Sequence, residues 1–105
     1  MLTVIETSEF RTWAARLWSD AEREAFIDWI AAHPEAGDVI PGSGGCRKVR
    51  WYRMGIGKSG GTRVVYFLRR PQGEVVLLIA YAKAKFDNIS ASILAQIKER
   101  IDAQT

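Results

Sequence analysis

Residues 62–82, TRVVYFLRRPQGEVVLLIAYA, decide the fold of this chain. Thr62–Arg69 is a strand-length run of β-branched and aromatic residues, Pro71-Gln72-Gly73 is a turn, and Glu74–Ala82 is almost continuously apolar. Two such runs around a short turn read as an antiparallel hairpin. The second run is apolar at successive rather than alternate positions, which predicts a central strand buried on both faces. Upstream, Cys46–Arg53 (CRKVRWYR) alternates like a further strand. Arg47, Val49, Trp51 and Arg53 fall on one face, and Lys48, Arg50 and Tyr52 on the other.

Outward from this meander, Leu2–Glu6 reads as a short first strand. Ser8 precedes an amphipathic run in which Phe10, Trp13, Ala14, Leu17 and Trp18 recur at helical spacing. Ser19 and Glu22 have capping-box spacing and open a second helix, whose stripe is Ala21, Ala25, Phe26, Trp29 and Ile30. That helix stops near His33-Pro34, because the residue before proline is driven out of helical geometry. Gly37–Gly45 and Gly55–Gly61 are glycine loops, the second carrying Lys58. A last helix begins at Asp87, Asn88 or Ser90 and buries Ile93, Leu94, Ile97 and Ile101. The expectation is a single α+β domain over residues 1–105, ordered β-α-α-β-β-β-α. Its twisted, mainly antiparallel sheet is backed by the two N-terminal helices, with the other face open.

The chain's 105 residues are 48% hydrophobic and 26% charged, which excludes wholesale disorder and coiled-coil composition. No apolar run is long enough to span a membrane. Glu6 and Glu9 stand where a signal peptide would be basic. A cytoplasmic location is expected. The net charge of +3 conceals an asymmetry. Residues 1–40 hold eight acidic and three basic residues, whereas residues 41–86 hold ten basic residues against Glu74 alone. Alternation sends Lys48 and Arg50 to one side of their strand, and Tyr81, Lys83 and Lys85 follow at every second position. A positive face of this kind fits a polyanion.

Other chemistries lack their residues. Gly55-Ile56-Gly57-Lys58-Ser59-Gly60 matches a dinucleotide fingerprint, but it leads into a strand instead of opening a helix. A P-loop would need glycine where Tyr52 stands. One histidine, His33, and one cysteine, Cys46, cannot build an ordinary zinc site, and no cofactor is expected. Cys46 reads as a small buried residue, and no serine has a histidine placed to activate it. Trp13, Trp18 and Trp29 at helical spacing read as core, while Trp51 on a basic strand could also stack a base.

RNA cleavage can use what remains, because RNA supplies its own 2′-hydroxyl nucleophile. The protein need only hold the strand in line, neutralise the phosphorane and assist proton transfer. Tyrosine or a lysine of lowered pKa can give that assistance.

The stretches GDVIPGSGGCRKVRW, GKSGGTRVVYF and LLIAYAKAKFDNIS resemble the RelE/HigB-type toxins of bacterial type II toxin–antitoxin modules, nearest the HigB-like branch. The resemblance covers nearly the whole chain and implies a RelE-like fold. It also implies metal-independent, ribosome-dependent mRNA cleavage, hence inhibited translation, and a cognate antitoxin, often a helix-turn-helix protein. By position, Lys48, Arg50, Arg63, Lys83 and Lys85 take the family's basic active-site places, with Tyr81 beside them. Arg47, Arg53, Lys58 and Tyr66 would grip mRNA or ribosome. The family's tyrosine base has no match, since Phe86 and Asp87 stand there; Tyr81 or Tyr66 would have to replace it. The histidines some relatives use are also missing, because His33 lies elsewhere. Replacing Arg63 with alanine is expected to abolish toxicity and leave the fold intact. The alternatives are a non-catalytic ParE-like binder of a target such as gyrase, and an inactive toxin that only co-represses with its antitoxin.

Overall fold

A computed structural model describes residues 2–51, 61–82 and 88–104. Its elements are β1 (Thr3–Glu6), α1 (Ser8–Ala15), α2 (Asp20–Ala32), β2 (Asp38–Val39), β3 (Arg47–Trp51), β4 (Thr62–Arg69), β5 (Glu74–Tyr81) and α3 (Ala91–Gln104). Among the described residues the strands form one sheet, ordered β1-β5-β4-β3-β2. β1 runs parallel to β5, and the other neighbours are antiparallel. The expected order holds with one addition, the two-residue β2 inside what the sequence presents as a loop.

Local chemistry sets the helix ends. Thr7, not Ser8, caps α1: its hydroxyl accepts from the Phe10 N–H at 3.1 Å and donates to the Leu77 carbonyl at 2.7 Å. One side chain thus starts the helix and ties it to β5. α2 has the full capping box, with Ser19 Oγ accepting from Glu22 N–H and Glu22 Oε1 accepting from Ser19 N–H. The helix ends at His33, whose N–H reaches the Trp29 and Ile30 carbonyls. Ser90 caps α3 by accepting from the Ile93 N–H at 3.2 Å.

α1 and α2 cover one face of the sheet. Phe10, Ala14, Trp18, Phe26 and Ile30 pack there on Val49, Val64, Tyr66, Val75, Leu77 and Ala80. Trp51 belongs to this layer, with ring centroids 5.5 Å from Phe26 and 5.1 Å from Trp29, so it packs in the core. Trp18 is buried as expected.

The second face is not open as expected. Leu94 and Ile101 of α3 lie on Cys46, Val65, Phe67, Val76 and Leu78. Arg69 and Lys98 fasten the helix further, meeting Asp102 at 3.6 Å and 3.4 Å and standing over the Phe67 ring. β5 is buried from Val75 to Tyr81, as its continuous hydrophobicity predicts.

A register shift at Val65/Tyr66 interrupts the β4–β5 pairing. Val65 faces Ile79, yet Tyr66 faces Leu77, so β5 carries one extra residue there. Leu78 and Ile79 consequently both join the layer under α3. Beyond this bulge the alternation of β5 is reversed.

The turn into β3 depends on glycine and on one serine. Gly44 and Gly45 adopt positive φ of 77° and 104°, where a side chain would be strained. Buried Ser43 donates to the Ile40 carbonyl at 2.6 Å and accepts from the Cys46 N–H at 3.0 Å, closing the loop.

Candidate nucleic-acid interface

Pairing across the meander brings three of the expected site residues into one row. Arg50 on β3 faces Arg63 on β4, which faces Tyr81 on β5. In the next row on the same face, Asp38, Lys48, Val65 and Ile79 are in register. Directly opposed residues on a sheet face have Cβ atoms about 5 Å apart. The bulge is essential to this arrangement. Uninterrupted alternation from Val76 and Leu78 would turn Tyr81 toward α1 and α2; the extra residue places it under α3, in the layer that holds Val65 and Ile79.

The row grades from solvent to core. Arg50 is exposed and Lys48 half-buried, whereas Arg63 and Tyr81 are only 5% and 3% exposed. The Arg63 guanidinium is turned along the sheet: its Nη1 donates to the Gly61 carbonyl at 3.1 Å and the Ala82 carbonyl at 3.0 Å. Truncating Arg63 would therefore also remove the donor that these two carbonyl groups share, in addition to a positive charge.

Tyr66 and Arg47 lie on the opposite face. Tyr66 is fully buried; its hydroxyl donates to the Pro34 carbonyl at 2.8 Å and accepts from the Gly37 N–H at 2.9 Å. Burial pushes its pKa above 10.0, more than the Gly37 hydrogen bond and the Arg47 charge pull it down, so the phenol stays protonated. Tyr66 can therefore neither act as a solvent-facing base nor grip RNA; it fastens the α2–β2 connection to β4. Gly37 is required there, since a Cβ would come within 2.9 Å of the Tyr66 hydroxyl. Arg47 serves the same junction, donating to the Gly37 carbonyl at 2.8 Å.

Arg53, Lys58, Lys83 and Lys85 lie outside the described residues. Two other cations of the basic segment are engaged elsewhere. Arg69 meets Glu74 at 3.3 Å, and Arg70 meets Glu35 at 3.6 Å. Among the described residues of this segment, Arg47, Arg63, Arg69 and Arg70 brace the fold, while Lys48 and Arg50 lie on one face of β3. Cys46 is fully buried and its pKa is raised by that burial, which fits a packing residue rather than a nucleophile. His33 Nδ1 lies 2.9 Å from the Trp29 carbonyl, and its ring stacks on Trp29, consistent with a helix-end role. Sequence reasoning missed Asp38, the carboxylate beside Lys48, because its position depends on β2, which has no signal of its own.

No known family profile matches this sequence. Solved structures do match its fold. A mutant of the E. coli toxin RelE in the free state superposes with a TM-score of 0.63 at 15% identity, over 95% of this chain and 97% of that one. The isolated E. coli RelE toxin gives 0.55 at 17% identity, covering 96% of this chain and 99% of that one. In the intact E. coli RelBE toxin–antitoxin complex, the match is 0.55 at 18% identity, over 79% and 98%. At these identities the likeness is one of architecture: the chain has the α+β fold of E. coli RelE, and the expected fold class is correct.

Proposed function

We propose that this chain is the toxin of a type II toxin–antitoxin pair, an endoribonuclease that cuts mRNA in the translating ribosome. The observation that carries the reading is the Arg50–Arg63–Tyr81 row with Lys48 beside it, on one face of a RelE-like sheet. Like charges directly opposed across strands are destabilising. Two arginines facing each other are better accommodated when an anion shares their field, and a phosphodiester is such an anion.

In the proposed reaction the substrate 2′-oxygen attacks the adjacent phosphorus while the bond to the 5′-oxygen breaks. The products are a 2′,3′-cyclic phosphate and a 5′-hydroxyl, the proton passing from the attacking to the leaving oxygen. Lys48 and Arg50 bind the strand and, with the potential of Arg63, stabilise the phosphorane charge. Tyr81, in register with Arg63, ends the row and is its proton-transfer group. No metal is needed, because the nucleophile belongs to the substrate. The proposed partner is an antitoxin that covers the basic row with acidic or apolar segments. Charge complementarity speeds that encounter and fixes its register.

Primer extension on a defined mRNA in a reconstituted translation reaction tests this reading. Expected are discrete stops in the A-site codon that require ribosomes and disappear with Arg50→Ala. This variant is preferred to Arg63→Ala because Arg50 is exposed. Normal translation with no stops would refute the nuclease and favour a binder of another target, such as gyrase, or an inactive co-repressor.

A further inference from the structure

We infer that Asp38 is a base-reading residue of the proposed site, accepting from the two adjacent donors on the Watson–Crick edge of a guanine. The inference rests on the function proposed above and deepens it, since the cations there serve the phosphates and leave the bases without a reader. Asp38 opens the two-residue β2 and pairs with Lys48. Its row continues through Val65 and Ile79, so it lies on the face that carries Arg50, Arg63 and Tyr81. Among the described residues of these two rows it is the one acid.

Asp38 also differs from the acids that brace the fold. Glu6, Asp20, Glu35, Glu74 and Asp102 each meet an arginine. Asp38 is exposed, and no hydrogen bond or ion pair of the described residues engages its carboxylate. On a face that receives a polyanion, a carboxylate repels the phosphates and favours a ligand group that donates. Nucleobases are such groups. Phosphate contacts set the register of a strand, whereas base edges carry its sequence, and single-stranded RNA is read on those edges.

A carboxylate only accepts, and it does so through two oxygens. Guanine alone sets two N–H donors, at N1 and N2, side by side on its Watson–Crick edge. Cytosine and adenine each offer one amino group beside an acceptor nitrogen, and uracil offers one N–H between two carbonyls. Each of these three sets a lone pair against the carboxylate. The spacing suits one nucleotide. Opposed Cβ atoms on a sheet face are about 5 Å apart and diagonal ones about 7–8 Å, so Asp38 stands beside Lys48 and diagonally from Arg50. A phosphate held between those two cations leaves its base within reach of β2 at the rim of the sheet. A charge on an edge strand can also deter pairing with another chain. That role needs only a charge, whereas base reading needs the acceptor oxygens, and substitution separates the two.

The test uses the full-length chain in the reconstituted translation reaction. mRNAs that carry guanine or uracil at one position of the A-site codon, each position in turn, are compared for the native protein, Asp38→Ala, Asp38→Glu and Asp38→Lys. At one position the native protein is expected to cut the guanine codon about tenfold faster than the uracil codon, the discrimination of a bidentate pair. The ratio is expected to fall close to one in Asp38→Ala and to recover in Asp38→Glu, which keeps both acceptor oxygens. Asp38→Lys keeps a charge on the edge strand without an acceptor and is expected to lose the preference too. A guanine preference that survives Asp38→Ala or Asp38→Lys overturns the inference and leaves the proposed function standing. So does cutting by the native protein with no guanine preference at any position. Absence of cutting at every codon refutes the proposed function and this inference with it.

Discussion

The two faces of the sheet are built to different rules. Toward α1 and α2 the layer is apolar along its length, with Phe10, Phe26, Ile30, Val64, Tyr66 and Leu77 all fully buried. Toward α3 the face is divided: one end packs Leu94 and Ile101 on Cys46 and Phe67, and the other carries Lys48, Arg50, Arg63 and Tyr81. The first face can be closed because two helices joined by a short turn lie on it. The second has a single helix, and beyond it the row passes from buried Tyr81 and Arg63 to exposed Arg50. Stability and the proposed chemistry are therefore assigned to opposite sides of the same strands, and substitutions can separate them.

The largest effect is expected on the α1/α2 face. Phe26→Ala should cost about 3–5 kcal/mol, since it opens a cavity among Trp18, Trp29 and Trp51. Ile101→Ala near the end of α3 should cost about 2 kcal/mol, the low end for such a truncation, because the adjacent solvent lets the site collapse. Urea unfolding of both variants measures the difference, and equal costs would break the contrast between the faces.

Tyr66→Phe comes next, at about 1–3 kcal/mol, because it leaves the buried Gly37 N–H without its acceptor. The tyrosine also has an alkaline signature. Its folded-state pKa lies above the ordinary 10.0, so the unfolded chain releases the phenolic proton first as pH rises. The stability it contributes is complete below that ordinary value and is lost as pH rises through the folded one. The gap between native protein and variant should accordingly shrink as the pH rises past 10.0, and a constant gap would show that the phenol is not held protonated.

Arg50→Ala should have the smallest effect on stability, within about 0.5 kcal/mol, as is usual for an exposed site. Removing one of two facing arginines can even be mildly favourable. The same change is expected to eliminate ribosome-dependent cleavage. A large loss of stability in this variant would mean that the cationic end also braces the fold.

Much of the architecture was legible because its signals are local. The Ser19–Glu22 box, the stop at His33-Pro34 and the apolar run of β5 each express a constraint satisfied within a few residues. The common side of Lys48 and Arg50 follows from the two-residue period of a strand, which holds wherever pairing is regular. β2 was not legible, since two residues carry no period and form a strand only because β3 is there to receive them. The cover that α3 gives the second face was missed for a related reason: a stripe of isoleucines requires burial but does not name the surface that buries it.

The residues of the proposed site divide along the same line. Sequence alone determined a basic central meander, its order after two N-terminal helices, and the pairing of cations with aromatic residues on its strands. Tertiary structure decided which of those residues meet. The bulge between Val65 and Tyr66 turned Tyr81 toward Arg63 and away from the helical core. Packing took Tyr66 inward to hold Gly37 and Pro34, and the ends of two strands drew the Arg63 guanidinium into their own hydrogen bonding. The physical reason is that composition and periodicity record what a residue can do. Its register, and the buried carbonyls within its reach, select what it does, and both depend on segments distant in sequence.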